Sequence, residues 1–194
     1  MVVALVPVVA KIVTDVTGGD VLRNGRFHTP TTPKPLAVVT AKHESHVQAT
    51  VICAKRHGLQ IRIRSGGHDY EGLSYVSHVP FVVLDMFHLR AIHVDVADES
   101  AWVKSGATVG ELYYEIAKKS KVHGFSAAAG PTVGVGGHFS GGGYGVMMRK
   151  YGLTVDNIED AKLVNLNGTI LDRNRNRSAA LTNSSNSSLL ASSM

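Results

Sequence analysis

Alternating apolar and polar residues along the chain predict a series of short strands. In residues 59–64 an apolar side chain occupies every second position, which indicates a half-buried strand whose polar side chains face away from the core. Residues 161–166 and 169–171 flank Asn167-Gly168, a dipeptide typical of tight hairpin turns. Short runs rich in valine and isoleucine predict further strands at residues 36–39, 80–85, 92–96 and 101–103.

Two helices are predicted from the residues at their ends. Thr40 is a favourable N-cap, Glu44 places a negative charge in the first turn, and Gly58 ends this helix. Thr108 and Glu111 have the spacing of a capping box, which predicts that a second helix begins there.

Neither a metal site nor a disulfide framework is predicted. His43-Glu44-Ser45-His46 resembles a zinc motif, but its histidines are three residues apart, whereas a metalloprotease helix needs them four apart. We therefore interpret this segment as an exposed polar face. Cys53 is the single cysteine, so the chain cannot form an internal disulfide.

Two glycine-rich stretches, residues 64–72 and 130–145, are the most unusual part of the sequence. Seven glycines lie between Gly134 and Gly145. This density is too high for an ordinary helix or strand, because each glycine inside an element costs roughly 0.5–1 kcal/mol relative to alanine. It indicates a backbone that turns sharply or approaches a ligand closely. A flexible linker is the alternative, but linkers consist mainly of serine and glycine, and this stretch also carries valine, histidine, phenylalanine and tyrosine.

The two common nucleotide-binding fingerprints are absent from the sequence. The G-x-G-x-x-G spacing fails at Phe139 when it is counted from Gly134, and at Val146 when it is counted from Gly141. No Gly-Lys-Ser/Thr phosphate loop exists either. The glycines therefore indicate nucleotide contact of neither common kind.

Composition narrows the class of protein only moderately. The chain has 194 residues, of which 44% are hydrophobic, so it can hold one domain or two small ones. The formal net charge is +5, but lysine and arginine are scattered, which disfavours nucleic-acid binding. A dinucleotide pyrophosphate or an acidic cell-wall surface would suit the same charge.

Both ends of the chain differ from its middle. Residues 1–10 are apolar, are interrupted by Pro7 and lack a cationic leader. They are too short to span a bilayer and form a poor signal peptide, so we predict a buried strand or an unstructured end. Residues 173–194 are mostly Arg, Asn and Ser, which predicts disorder. The chain also has N-glycosylation acceptor patterns, which matter only if it is secreted, at Asn167, Asn176, Asn183 and Asn186.

Residues 24–172 resemble the first flavin-binding part of the berberine bridge enzyme-like family. These plant flavoproteins belong to the vanillyl-alcohol-oxidase, or PCMH-type, FAD-binding group. The glycine-rich stretches carry most of the resemblance. The matching sequence segments are residues 26–27, 31–35, 43–48, 61–75, 105–107, 131–145 and 151–157.

The resemblance implies an α+β fold of the PCMH type (FAD-binding type 2), with FAD lying extended along residues 24–172. Residues 1–23 would be a divergent N-terminal segment and residues 173–194 a disordered tail. The FAD pyrophosphate would lie on the loop after strand 59–64, where successive main-chain N–H groups form an anion-binding nest. The cofactor-binding residues implied are Ser65, Gly66, Gly67, His68, Asp69, Ser74, Gly106, Thr132, Val133, Gly134, Gly136, Gly137, His138, Gly141 and Gly143.

Covalent attachment of the flavin is also implied by the resemblance. His68 matches the histidine that bonds to the methyl group on the dimethylbenzene ring, although a histidine in a loop can also be without consequence. Gly130 occupies the place of a family cysteine that forms a second bond, so only a single link at His68 is expected. Cys53 matches a family cysteine whose disulfide partner, nearer the N-terminus, is missing here.

Three further residues match positions close to the reaction. Val133 matches a position that controls oxygen access, where valine accompanies oxidase behaviour; packing alone would also place a valine there. Tyr70 and Tyr144 match tyrosines of the catalytic face, with Tyr144 a candidate base. A phenol, with a pKa near 10, would need a neighbouring cation for that role. Both tyrosines are equally compatible with simple packing against the flavin.

The function implied is that of a flavin-dependent oxidoreductase. It would oxidise an alcohol, amine or carbohydrate C–H bond by hydride transfer to FAD, and O2 would reoxidise the flavin to give hydrogen peroxide. Family members continue past Asp172 into a substrate domain, so we expect a truncated chain. The alternative is a non-catalytic flavin-binding remnant, and a nucleic-acid module is a third hypothesis. The partners expected are FAD and a small-molecule substrate, with no membrane span, in a secreted or cell-wall location.

Overall fold

The computed structural model describes residues 13–14, 24–27 and 29–172. The predictions for residues 1–10 and for the tail at 173–194 lie outside these ranges. The elements are, in chain order, β1 Val13–Thr14, a 3-10 helix Gly25–Phe27, β2 Ala37–Thr40, α1 Glu44–Arg56, β3 Gln60–Arg64, β4 Phe81–Asp85, β5 Ile92–Asp95, β6 Ser100–Val103, α2 Val109–Lys119, α3 Val135–Ser140, α4 Met148–Tyr151, a second 3-10 helix Thr154–Asn157, β7 Leu163–Val164 and β8 Ile170–Leu171.

Four strands form the main sheet in the order β1-β2-β4-β3. The strands β2, β4 and β3 are parallel, whereas β1 runs antiparallel to β2. Helix α1 connects β2 to β3 and buries Val47 and Ala54 against the sheet. Because the carboxyl ends of parallel strands meet at one edge, the segments that follow β3 and β4 lie side by side.

A second layer is built on the hairpin of β5 and β6. Helix α2 begins at the predicted capping box, in which the Thr108 and Glu111 side chains each accept the other residue's N–H. Its buried side chains join a hydrophobic core that also takes in Val135 and Phe139 of α3. The predicted strands, the helix α2 and the β7–β8 hairpin are thereby confirmed, and the fold is α+β. Among the described residues, no helix combines the length and apolarity needed to cross a bilayer.

The N-cap of α1 was predicted wrongly. Thr40 is the last residue of β2 and pairs in register with Asp85 of β4. The helix begins four residues later, and its N-cap is His43, whose Nδ1 accepts a hydrogen bond from the Ser45 N–H at 3.3 Å. Sheet pairing therefore outweighed the local capping preference of a threonine.

The faces of β3 also differ from the predicted alternation. Ile63 is 60% exposed, whereas Arg64 at the end of the strand is 1% exposed. The Arg64 side chain is buried because Asp85 on the neighbouring strand forms an ion pair with it. A buried charge is tolerated when it is paired and hydrogen-bonded, which an alternation of residue types along one strand does not reveal.

The density of glycines does not prevent helix formation in the second stretch. Residues Val135–Ser140 form α3, although two of its six residues are glycines. Val135 and Phe139 are four residues apart and therefore lie on one helix face, where both are buried in the core. This burial offsets the conformational cost of the glycines.

Candidate functional site

The two glycine-rich stretches meet at main-chain level. A Cβ atom added to Gly66 would lie 2.3 Å from the Gly134 nitrogen, and one added to Gly134 would lie 2.1 Å from the Gly66 nitrogen. The Ser65 hydroxyl donates to the carbonyl oxygen of Ser105 and so joins a third segment to this junction. Only glycine fits at the contact, because any side chain would overlap backbone atoms.

The first loop, residues 65–69, leaves its main-chain donors free. Across the described residues, none of its five N–H groups makes a hydrogen bond to protein. The loop follows β3 at the edge where the parallel strands end. Successive main-chain N–H groups form an anion-binding concavity when they point to one side of a turn.

The segment that follows this loop is shaped by Asp69. Its Oδ1 accepts the Glu71 N–H at 3.0 Å and its Oδ2 accepts the Ser74 N–H at 2.9 Å. Ser74 Oγ is buried, and among the described residues it has no hydrogen-bond partner. A buried hydroxyl without a partner is uncommon in folded proteins and is often explained by a bound molecule or water.

His68 bridges the two stretches through its side chain. Its Nε2 lies 2.9 Å from the Thr132 hydroxyl, and both residues are exposed. The other ring nitrogen, Nδ1, makes no hydrogen bond within the part of the chain that the structure describes. The imidazole is therefore oriented from one side only.

A buried polar cluster, formed by Arg64, Tyr75 and Asp85, lies beneath the first loop. Arg64 donates from Nε and Nη2 to Asp85 Oδ2 at 3.0 and 2.6 Å. The guanidinium carbon lies 5.0 Å from the centre of the Tyr75 ring, and the Tyr75 hydroxyl donates to the Gly67 carbonyl at 2.9 Å. Arg64 Nη1 is buried and, in the described residues, lacks a hydrogen-bond partner.

The second stretch is anchored to its neighbours by main-chain hydrogen bonds, although the N–H groups of Gly136 and Gly137 at the start of α3 donate to none of the described residues. The Val135 N–H donates to Ala107 and the Val109 N–H donates to Val133, both at 2.9 Å. His138 Nε2 accepts the Ala128 N–H at 3.0 Å, and burial lowers the pKa of His138. An imidazole that accepts through Nε2 is neutral, which agrees with that direction.

At most of the remaining glycines of the predicted site, neighbouring atoms leave no room for a side chain. A Cβ on Gly106 would overlap the Met86 carbonyl, and one on Gly143 would overlap the Thr154 side chain. Gly136 lies against Ser105, and Gly141 lies against the Gly137 carbonyl at the end of α3. A Cβ on Gly137 would meet open space. Val133 is half-buried and packs against the core.

The two predicted catalytic tyrosines lie at the surface. Tyr70 is 83% exposed and Tyr144 is 73% exposed. In the described ranges neither ring contacts another aromatic ring or forms a hydrogen bond. The structure therefore shows no group that orients or activates either phenol.

Two residues that organise the site, Arg64 and Tyr75, are not predicted from local sequence patterns. Arg64 was placed on the polar face of β3, and Tyr75 received no role. The sequence does contain one indication of the Arg64 ion pair, because Arg64 and Asp85 are residues of opposite charge at the ends of two predicted strands. Pairing those strands in parallel would have brought the two side chains together.

Comparison with known proteins gives three consistent results. A family model described as an FAD binding domain matches residues 35–174. Tetrahydroberberine oxidase of Berberis wilsoniae is 64% identical over 152 residues, which are 78% of this chain and 29% of that protein. Berberine bridge enzyme-like 2 of Arabidopsis thaliana is also 64% identical over 152 residues, 78% of this chain and 28% of its own.

A solved structure supports the same relationship. Phl p 4, a grass pollen allergen with glucose dehydrogenase activity, superposes with a TM-score of 0.77 at 49% identity. The match covers 81% of this chain and 32% of the allergen. The chain therefore spans about a third or less of the length of the proteins that it resembles.

Proposed function

The chain belongs to the berberine bridge enzyme-like family of FAD-binding proteins, and from this premise we propose that its two glycine-rich stretches hold FAD for an oxidoreductase reaction. Its fold is that of the FAD-binding type 2, or PCMH-type, domain. The substrate proposed is an alcohol, amine or carbohydrate, because the relatives named above include both an oxidase and a glucose dehydrogenase.

One observation carries the binding proposal: the five N–H groups of residues 65–69, at the junction of the two stretches, donate to none of the described residues. They suit a pyrophosphate, whose oxygens accept several hydrogen bonds at once. The buried and unpartnered Ser74 Oγ and Arg64 Nη1 beside this loop also fit a polar ligand. The residues present therefore fit FAD.

His68 is the residue proposed to tether the flavin. The Thr132 hydroxyl holds His68 Nε2 and leaves Nδ1 available for a bond. Gly130 carries no sulfur, so this chain would form one covalent link and not two. Such a bond fixes the ring and changes the electronic properties of the cofactor.

When bound, FAD supplies the two-electron acceptor for oxidation of the substrate. Tyr70 and Tyr144 remain the candidates for proton transfer, and their exposure leaves both hydroxyls accessible. Val133 is proposed to govern the access of O2, because its side chain packs directly beside Gly130, where an added Cβ would lie 3.0 Å from Val133 Cγ2.

A secreted or cell-wall location is proposed as well. The acceptor pattern at Asn167 lies on an exposed turn between β7 and β8, where an N-linked glycan would meet no steric obstacle from the core. Expression through a secretory pathway followed by glycosidase treatment should lower the apparent mass. An unchanged mass would contradict this part of the proposal.

The tether can be tested by incubating the protein with FAD, precipitating it with acid and measuring flavin absorbance in the redissolved pellet. We expect wild-type protein and a matched surface variant, His93→Ala, to retain the absorbance, and His68→Ala to lose it. Absorbance that stays in the supernatant for all three proteins would overturn the covalent link. A wild-type protein that binds no FAD at all would overturn the binding proposal too.

Turnover is tested separately from binding, by following hydrogen peroxide release with sugars and alcohols as substrates. Flavin-loaded protein that releases peroxide supports the oxidoreductase. Loaded protein that releases none, while the same substrates also fail to bleach its flavin absorbance, would favour the flavin-binding alternative.

A further inference from the structure

Gly67 has a left-handed main-chain conformation and contacts the Tyr75 hydroxyl. The φ angle of Gly67 is +74°, and a Cβ on this residue would lie 2.2 Å from the Tyr75 hydroxyl oxygen. The same hydroxyl donates to the Gly67 carbonyl at 2.9 Å. The left-handed turn immediately before His68 is therefore held by one phenol group.

The Tyr75 ring is itself held by two neighbouring side chains, Phe27 and Arg64. It is 1% exposed and stacks on Phe27 with ring centres 4.8 Å apart. The Arg64 guanidinium lies over the ring, and Asp85 holds that guanidinium through two hydrogen bonds. A ring held in this way presents its hydroxyl to the loop at a defined place.

These contacts orient His68 from its backbone, while Thr132 orients it from its ring. Gly67 directly precedes His68, so the conformation of this turn sets the position of the His68 Cα and Cβ atoms. Thr132 then contacts Nε2 at 2.9 Å. We propose that Tyr75 is a positioning residue that sets the His68 imidazole for its bond with FAD, an inference that depends on the tether proposed above.

The step that Tyr75 would assist is chemically complete with dioxygen as oxidant. A bond would form between an imidazole nitrogen of His68 and the methyl carbon on the dimethylbenzene ring of the flavin. The imidazole N–H proton and one methyl hydrogen would be lost, and the flavin would take up the two electrons and two protons released. Dioxygen then accepts them and becomes hydrogen peroxide. Misplacing the imidazole would slow the bond-forming step without removing any reactant.

The test compares two tyrosines that make the same type of hydrogen bond. Tyr75→Phe removes only the hydroxyl that contacts Gly67. Tyr113→Phe is the matched control, since the Tyr113 hydroxyl also donates to a carbonyl at 2.9 Å, that of Ala128. FAD is added to each apoprotein, and acid-stable flavin is measured against time, together with the FAD dissociation constant and the thermal midpoint.

We expect Tyr75→Phe to acquire acid-stable flavin on the order of threefold to tenfold more slowly than wild type, the effect of losing one net hydrogen bond at the reacting geometry. The control should keep the wild-type rate even if its thermal midpoint falls equally. An unchanged rate in Tyr75→Phe would overturn the inference, as would an equal slowing in both variants. Wild-type protein that never acquires acid-stable flavin would overturn the tether and this inference together.

A second variant keeps the test decisive if Tyr75→Phe does not fold. Phe27→Leu retains the Tyr75 hydroxyl and removes only its stacking partner. The expected slowing is smaller than for the loss of the hydroxyl, because the ring is loosened and the hydrogen bond remains. A wild-type rate in folded Phe27→Leu, with Tyr75→Phe unfolded, would count against the inference.

Discussion

The two glycine-rich stretches touch at Gly66 and Gly134 but are held in place by different means. The N–H groups of the first loop, residues 65–69, make no hydrogen bond within the described part of the chain, and side chains, those of Tyr75 and Arg64, support the loop from beneath. The second stretch is held by main-chain hydrogen bonds to Ala107 and Val109 and by two side chains of α3 in the core. A loop that keeps its donors free for a ligand needs support from outside its own backbone.

The glycines of the two stretches are also present for different physical reasons. Gly67 is needed for its left-handed conformation, and Gly134 is needed because another backbone approaches it. Gly137 has neither reason, since a Cβ there would meet open space. The number of glycines in a stretch therefore does not measure how closely it approaches a ligand.

The largest predicted effect comes from removing the side-chain support of the first loop. Arg64→Met should lower the free energy of unfolding by about 3–5 kcal/mol, because it removes the cation that pairs with the buried Asp85 carboxylate, and the hydrogen bond from the Phe87 N–H to Oδ1 does not replace that charge. Arg90→Met is the control, because the Arg90 and Glu111 side chains are 32% and 37% exposed. Loss of their ion pair should lower the free energy of unfolding by about 1 kcal/mol or less. Urea denaturation of the two variants measures both values. Equal losses would contradict the view that the first loop depends on a buried ion pair.

A smaller effect is expected where the two stretches touch. Gly134→Ala should destabilise the protein by about 1–3 kcal/mol, because the new methyl group overlaps the main chain at Gly66. Gly137→Ala, three residues later, should stabilise it by about 0.5–1 kcal/mol, since alanine favours the helix and meets no atom. Thermal denaturation of the apoproteins compares them. The opposite order of stabilities would show that the loops do not meet as described.

The smallest predicted effect concerns His138, which links the second stretch to Ala128. Burial lowers the pKa of His138 below its ordinary value of 6.5, so the unfolded chain takes up this proton first as the pH falls. The free energy of unfolding should therefore decrease as the pH falls through 6.5. His138→Gln should reduce that decrease, measured by urea denaturation at about pH 7.5 and about pH 5.5. A steeper decrease in the variant would contradict the assignment.

Much of the fold was predictable because its signals are local. The capping box at Thr108 and Glu111 and the Asn167-Gly168 turn depend on residues a few positions apart. The predictions for Thr40 and Arg64 are wrong because the surroundings of both are set by Asp85 of β4, which is more than 20 residues from each of them along the chain. Local preference does not contain that information.

The sequence predicts which two stretches form the candidate site, but it does not predict the side chains that support the first loop. The sequence pointed to both glycine-rich stretches, and the structure places them against each other. The free N–H groups, by contrast, are evident only once the partners of each backbone group are known. The placement of Tyr75 beneath Gly67 depends on Phe27 and Arg64, which come from separate segments.

The central claim, that the main-chain N–H groups of the first loop bind the FAD pyrophosphate, is tested most directly by amide chemical shifts in a titration with FAD. The largest changes should occur at residues 65–69, and the amides of Val109 and Val135, already bonded to carbonyl groups, should change much less. Inorganic pyrophosphate should move the same loop signals at higher concentration. Changes centred elsewhere, with the signals of residues 65–69 unmoved, would contradict the account.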